Sequence, residues 1–376
     1  MHNTFCVFIG ATVISSHEAA NQRLLASIDS ETRLKRIGET IDRLISLDLW
    51  CKFAGPDAVL AMYEAALEQV KPRHRSLTLA AAEALQDAIK PGAKVLVCTG
   101  LVLPPWMIAE SDGPPGAAAI ARLANLAFKA SSVIFVPPKW VDAMRKVVIA
   151  SGMTPIDDME RLQGKRGACA VVGYPTEDEP ALVMAKALID SGEVAAVIAL
   201  ETPGRNPSGR YVTGAHGYDI SADTARFDCL FEAANRRGVL TIGIGDHGGE
   251  IGLGSIADSI RKVVPTAIKG DAADITPVTG SRVPIIAGIS NWGAYGLEAA
   301  MAALAGRPDL IHTGADERRI LNVTADAGFL AGMVGLPLPI VDGVSCDDNA
   351  AFVDLLRLAV IRGMEAPFPR AVGFNP

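Results

Sequence analysis

From Ala93 onward the chain alternates short apolar, β-branched runs with amphipathic segments of helical length, and this alternation narrows its fold more than any other feature. The runs are Lys94–Cys98, Val133–Val136, Cys169–Val172, Val194–Leu200, Val239–Ile244 and Val283–Ala287. The helical segments are Ala117–Lys129, Val141–Ile149, Ala181–Ser191, Ala222–Arg237, Ser255–Val264, Leu297–Ala305 and Phe352–Arg362. Strand followed by helix, repeated in this way, predicts a three-layer α/β/α fold whose mostly parallel sheet is covered on both faces. Ahead of it, residues 15–92 read as helical: Leu24–Leu49 carries apolar residues at helical spacing, and the Ala-rich Leu77–Ile89 is stopped by Pro91-Gly92. The expected layout is an N-terminal extension over 1–36, an α/β domain over 37–366 and a tail over 367–376, with the polar Lys269–Ser281 stretch as an excursion.

Composition removes several function classes. Apolar residues make up 49% of the 376-residue chain and charged residues 20%, the balance of a chain with a core to bury rather than a disordered one. Acids outnumber bases, 42 to 35, and no basic run occurs, so neither a nucleic acid nor an anionic membrane is an expected partner. Cys6, Cys51, Cys98, Cys169, Cys229 and Cys346 lie far apart with no CxxC pair, which fits reduced thiols in a cytoplasm. Phe5–Ile14 is apolar but short, without preceding Lys or Arg or a small-residue cleavage site, and is not expected to be a signal peptide. No apolar run reaches the roughly 18 residues of a membrane span.

Open parallel sheets bind ligands beyond the carboxyl ends of their strands, so the residues after each run come first. The first run leads into Thr99-Gly100 and then Glu110-Ser111-Asp112-Gly113. The Val194 run ends at Glu201, followed by Arg205, Arg210 and Tyr211; the Val239 run ends in Asp246-His247-Gly248-Gly249-Glu250; the Val283 run ends in Ser290-Asn291. Acids on glycine-rich backbone can hold Mg²⁺ or Mn²⁺ through oxygen ligands or act as general acid and base, because glycine lets backbone N–H groups approach a ligand closely. Taken singly, Glu110, Asp112, Glu201, Asp246 and Glu250 read equally well as solvated loop acids and caps. Their common placement after strands is what favours a site.

Gly243-x-Gly245-x-x-Gly248 matches a dinucleotide fingerprint, but Asp246 and Glu250 would set negative charge beside a pyrophosphate, so neither NAD nor PLP is expected. No GxxxxGK[ST] loop occurs. His247 sits where it could be a base or ligand, whereas His216 reads as structural or exposed. Trp292 reads as packing that fixes a Ser290-Asn291 turn.

The segments Glu110–Ala117, Glu201–Arg205 with Gly209–Tyr211, Gly243–Asp246 through Glu250–Gly254, Ile286–Gly293 and Val341-Asp342-Gly343 resemble, in order, the C-terminal domain of the D-glutamate cyclase family. The resemblance runs from about Ile37 to Arg362 and departs at His247 and Gly249, where the family pattern has Gly and Asn. It implies interconversion of D-glutamate and 5-oxo-D-proline with loss or gain of water, a carbon–oxygen lyase activity, with a divalent metal. Larger members carry an added hydro-lyase-like region, so a different substrate or a partner is a further expectation.

On this reading Glu201, Asp246 and Glu250 are the catalytic and metal-holding set, and Arg205 or Arg210 clamps a substrate carboxylate. Asp112 binds the amine, Ser290 and Asn291 orient the substrate, and Thr99, Gly100, Glu110, Gly113, Tyr211, His247, Gly248 and Asp342 complete a pocket for a small anion such as glutamate or 5-oxoproline. The alternatives are a non-catalytic metabolite-binding accessory protein, and a lyase or hydrolase for another small carboxylate. The Ala-rich helices suit a homodimer.

Overall fold

The computed structural model describes residues 30–49, 57–213, 217–264 and 274–365. Its strands are β1 (Lys94–Thr99), a ribbon of β2 (Val102–Leu103) and β3 (Ile108–Ala109), β4 (Ser131–Val136), β5 (Thr154–Ile156), β6 (Ala168–Gly173), β7 (Val194–Leu200), β8 (Leu240–Gly245), β9 (Val283–Ile286), and a second ribbon of β10 (Ile340–Val341) and β11 (Val344–Ser345). Seven of them form one parallel sheet in the order β5-β6-β4-β1-β7-β8-β9. The fold is the three-layer α/β/α arrangement read from the sequence.

Side chains alternate across this sheet, as a period of two requires. In β1, Val95 and Val97 enter one core while Leu96 and Cys98 enter the other. The layers are unequal. The Leu96 face is covered by helices Asp178–Asp190 and Phe227–Arg237, through Ala181, Ala185, Leu188, Phe227, Leu230 and Phe231. The Val95 face carries Pro114–Phe128, Val141–Ala150, Leu77–Ala88 and Ser290–Ala305, with Ser30–Ile45, Gly314–Asp326 and Cys346–Met364 packed around them.

Ser290–Ala305 is buried from Ser290 through Ala303, the mark of a helix surrounded by protein on all sides. The sequence reading starts this helix only at Leu297, seven residues later than its observed beginning at Ser290. A Cβ on Gly293 would lie 2.5 Å from Ile244 Cγ2; the glycine lets the helix lie against the sheet. Ser290-Asn291 is therefore a first helical turn, and Trp292 stacks on Phe352 with centroids 4.0 Å apart while donating to Asn349.

Other differences have local causes. Gly314–Asp326, rich in charge, had no expected counterpart, yet Thr313 and Asp316 form a capping box at its start. Phe227–Arg237 begins after the expected Ala222 because Arg226 is not helical (φ −80°, ψ 55°), and Cys346–Met364 begins before Phe352 because Ser345 caps it through Asp348 N. The short β5 carries Pro155 and sits at the sheet edge, where a missing N–H is tolerated. Phe5–Ile14, His216, residues 269–273 and the 367–376 tail lie outside the described residues. Among the described residues no helix is long and apolar enough to cross a membrane, and Cys98, Cys169, Cys229 and Cys346 are free thiols.

Behind the sheet lies a buried ionic group that sequence reasoning missed. His312 is bracketed by Glu298 (Nδ1 to Oε2, 2.6 Å) and Glu317 (Nε2 to Oε2, 3.2 Å). Arg122 reaches Glu298 at 3.3 Å, and the Tyr295 hydroxyl donates to Glu317. Burial alone would lower the His312 pKa, but the two carboxylates outweigh it and hold it at about 10.

Candidate active site

The chain lays down β1, builds the sheet outward through β4 to β6 and β5, then crosses back to place β7, β8 and β9 on the other side of β1. Connections thus leave β1 and β7 in opposite directions, and their carboxyl ends flank a crevice. Thr99 and Leu200 are register partners there, so Glu201 is the first residue beyond the crevice floor.

Asp112, in the turn before Pro114–Phe128, is buried and accepts N–H bonds from Gly113 (3.0 Å), Ser290 (2.9 Å) and Asn291 (2.8 Å). It thereby caps the central helix, a position where negative charge is favoured. Gly113 has φ +104°, and a Cβ there would lie 2.4 Å from Thr99 Oγ1 and 3.1 Å from Glu201 Cβ. Only glycine fits without displacement. Asn291 takes Gly113 N and Gly116 N on its Oδ1 and donates to Ser111 O. Its side chain fixes the 111–116 turn rather than facing a substrate.

Glu201 adopts φ +41°, uncommon for a residue with a Cβ and typical of functional loops. Its carboxylate accepts the Ser290 hydroxyl at 2.5 Å and is hydrogen-bonded to Glu110. In the loop after β8, Asp246 contacts His247 Nδ1, and Glu250 accepts His247 N (3.0 Å) and Gly248 N (2.8 Å). The glycines of the supposed dinucleotide fingerprint serve this loop: Cβ atoms on Gly243 and Gly245 would strike Gly252 and the Glu250 carboxylate. Asp342 comes from the turn between β10 and β11, at φ +49°. Gly332, which no sequence signal marked, lies against both Glu110 and Asp342: its Cβ would be 2.8 Å from one carboxylate and 3.3 Å from the other.

Glu110, Asp112, Glu201, Asp246, Glu250 and Asp342 are all buried. Two sets have ligand atoms within 4.8 Å of one another: Glu201, Asp246, His247 and Glu250; and Asp112, Asp246 and Asp342. Burial pushes Glu110 and Glu201 well above the ordinary carboxylate range, reinforced for Glu110 by Asp342 and Asp112, and for Glu201 by Asp246, Glu110 and Glu250. Glu250 is raised by burial and Asp246, with His247 opposing. Like charges this dense cannot all stay ionised without protons or cations among them. Oxygen donors suit Mg²⁺ or Mn²⁺, and an imidazole among them favours the transition metal Mn²⁺ over Mg²⁺.

The arginines expected to clamp substrate are placed elsewhere. Arg205 pairs with Asp178 at 2.5 Å and lies by the Tyr211 ring, as does Arg226; Arg210 is half-exposed near Asp219 at 3.8 Å. Tyr211 is buried in that second group. The crevice therefore gathers Thr99, Glu110, Asp112, Gly113, Glu201, Asp246, His247, Gly248, Glu250, Ser290 and Asp342. Gly100 turns at its edge with φ +128° against Pro137.

A family model described as D-glutamate cyclase-like, C-terminal, matches residues 64–357, which include all six acids of the crevice. D-glutamate cyclase, mitochondrial, of Homo sapiens is 28% identical over 200 residues. That match covers 52% of this chain and 30% of the human protein, so the chain spans less than a third of that relative.

Proposed function

Since this chain belongs to the family of D-glutamate cyclase-like C-terminal domains, we propose that it interconverts D-glutamate and 5-oxo-D-proline in the acid crevice, losing or gaining water. One observation carries the reading: acids from loops far apart in sequence meet, buried, at the switch point between β1 and β7.

Ring closure needs the substrate ammonium to lose a proton, the nitrogen to attack the distant carboxyl carbon, and one oxygen of that group to leave as water. Glu201, Asp246 and Glu250, with His247, fit a divalent ion of the Mg²⁺ or Mn²⁺ kind; bound there, it would offset the charge of the reacting carboxylate and make its carbon electrophilic. Asp246 holds the His247 ring in place through Nδ1. The hydrogen bond between Glu110 and Glu201 requires a shared proton; this pair takes two protons from the nitrogen, one before and one after its attack, and gives two to the departing oxygen, which leaves as water, so the pair ends as it began.

The test is incubation of the pure protein with D- and L-glutamate and both 5-oxoprolines, with and without Mn²⁺, read by chiral chromatography. Conversion confined to the D pair supports the reading, and none with the folded, Mn²⁺-supplied protein rejects it. Asp246→Asn should lower the rate by on the order of 10²-fold.

A further inference from the structure

Donor atoms around one cation cannot lie farther apart than twice the metal–oxygen distance, about 4–5 Å for Mg²⁺ and ions of similar size. The crevice acids satisfy this limit as two sets, not one, and Asp246 is the member they share. We infer that the crevice is built for two divalent cations bridged by Asp246, one held by Glu201, His247 and Glu250 and the other by Asp112 and Asp342.

An observation outside the acids supports this. Thr99 is fully buried at the end of β1, against Gly113 and Glu201, and its hydroxyl has no hydrogen-bond partner in the protein. Buried hydroxyls are almost always paired, so one left open beside a carboxylate cluster points to a partner that is not part of the chain, such as a cation-bound water. The acids are also held in place before any ion arrives: backbone N–H groups fix both oxygens of Asp112 and both of Glu250. Such orienting bonds are what metal ligands receive from their surroundings. Neighbouring carboxylates at this spacing repel, and two divalent ions compensate six acids more fully than one.

The inference rests on the cation reading of the proposed function, so its test separates the two. The whole chain is stripped with chelator, brought to equilibrium by dialysis against saturating Mn²⁺, and analysed for bound metal and by electron paramagnetic resonance. Two Mn²⁺ per chain with an exchange-coupled spectrum are expected. Asp342→Asn, a substitution that the left-handed backbone tolerates, should leave one ion and an uncoupled six-line spectrum, and Glu250→Gln should do the same. Thr99→Val should weaken loading several-fold. One uncoupled Mn²⁺ in the unaltered chain overturns the two-cation inference and leaves the single-cation reading intact. No bound Mn²⁺ removes both. Should either variant fail to fold, the stoichiometry and spectrum of the unaltered chain still decide.

Discussion

Replacing Glu201 by Gln should make the cation-free protein more stable while impairing it as a catalyst. Asp246 and Glu250 each place a ligand atom within 4.8 Å of one on Glu201. At an effective dielectric constant of about 20, a pair of ionised groups at that separation repels by about 3 kcal/mol. Gln has the same shape, still accepts the Ser290 hydroxyl and can donate to Glu110, so the substitution removes charge and little else.

Relief of one such repulsion is worth about 3 kcal/mol, or about 4 °C in melting temperature for a chain of this length. The sign with pH follows from the raised folded pKa. The folded state holds its proton more tightly than the unfolded one, so the native carboxyl is least costly below its unfolded value of 4.5 and grows costly as pH rises through the folded value. Thermal melts in chelator from pH 4 to 9 should therefore show the two proteins nearly equal at pH 4 and the variant ahead at pH 8. Saturating Mn²⁺ should all but close that gap, since an ion at 100 times its Kd adds about 2.7 kcal/mol to the protein that binds it. A Glu201→Gln protein that melts at or below the unaltered one at pH 8 in chelator would refute the view that these acids oppose one another.

Asp112→Ala should cost about 3 kcal/mol or more, because it strands the buried N–H groups of Ser290 and Asn291; chemical denaturation measures it, and a loss under 1 kcal/mol would contradict the capping role. Gly113→Ala should lose about 2–4 kcal/mol from positive φ and the collision with Thr99, and should retain little crevice function even where folded, seen in melts and Mn²⁺ binding. His312→Gln should destabilise by about 4 kcal/mol at pH 6, since it leaves Glu298 and Glu317 facing each other without the imidazolium. With the folded pKa near 10 against 6.5 unfolded, the contribution is complete below 6.5 and is lost as pH rises through 10, so the two melting curves should converge by about pH 10.

The strand ends were legible because apolar runs stop where the sheet meets solvent or a ligand, and Thr99, Glu201, Asp246 and Ser290 all follow such stops. Side-chain direction was not. Arg205 and Tyr211 lie in the right loop, yet Asp178 and Arg226, brought in from other segments, turn them into a separate stack. Asn291 was read as a substrate contact because its chemistry allows it, but the unpaired N–H groups of the 111–116 turn claim it first. His312 escaped notice since Glu298 and Glu317 sit in helices whose packing the sequence does not display. Gly332 follows no strand, so nothing local distinguished it.

Asp342 reaches the crevice from a ribbon near the end of the described chain, and Glu110 from a loop just after the first sheet strand. A nascent chain released as far as β9 would own most of the acids and still lack one of them. The six-acid crevice is thus complete only when the last ribbon docks, which makes Mn²⁺ loading a reporter of finished folding: on dilution from denaturant it should return with the slowest phase, after the sheet's own signals have recovered.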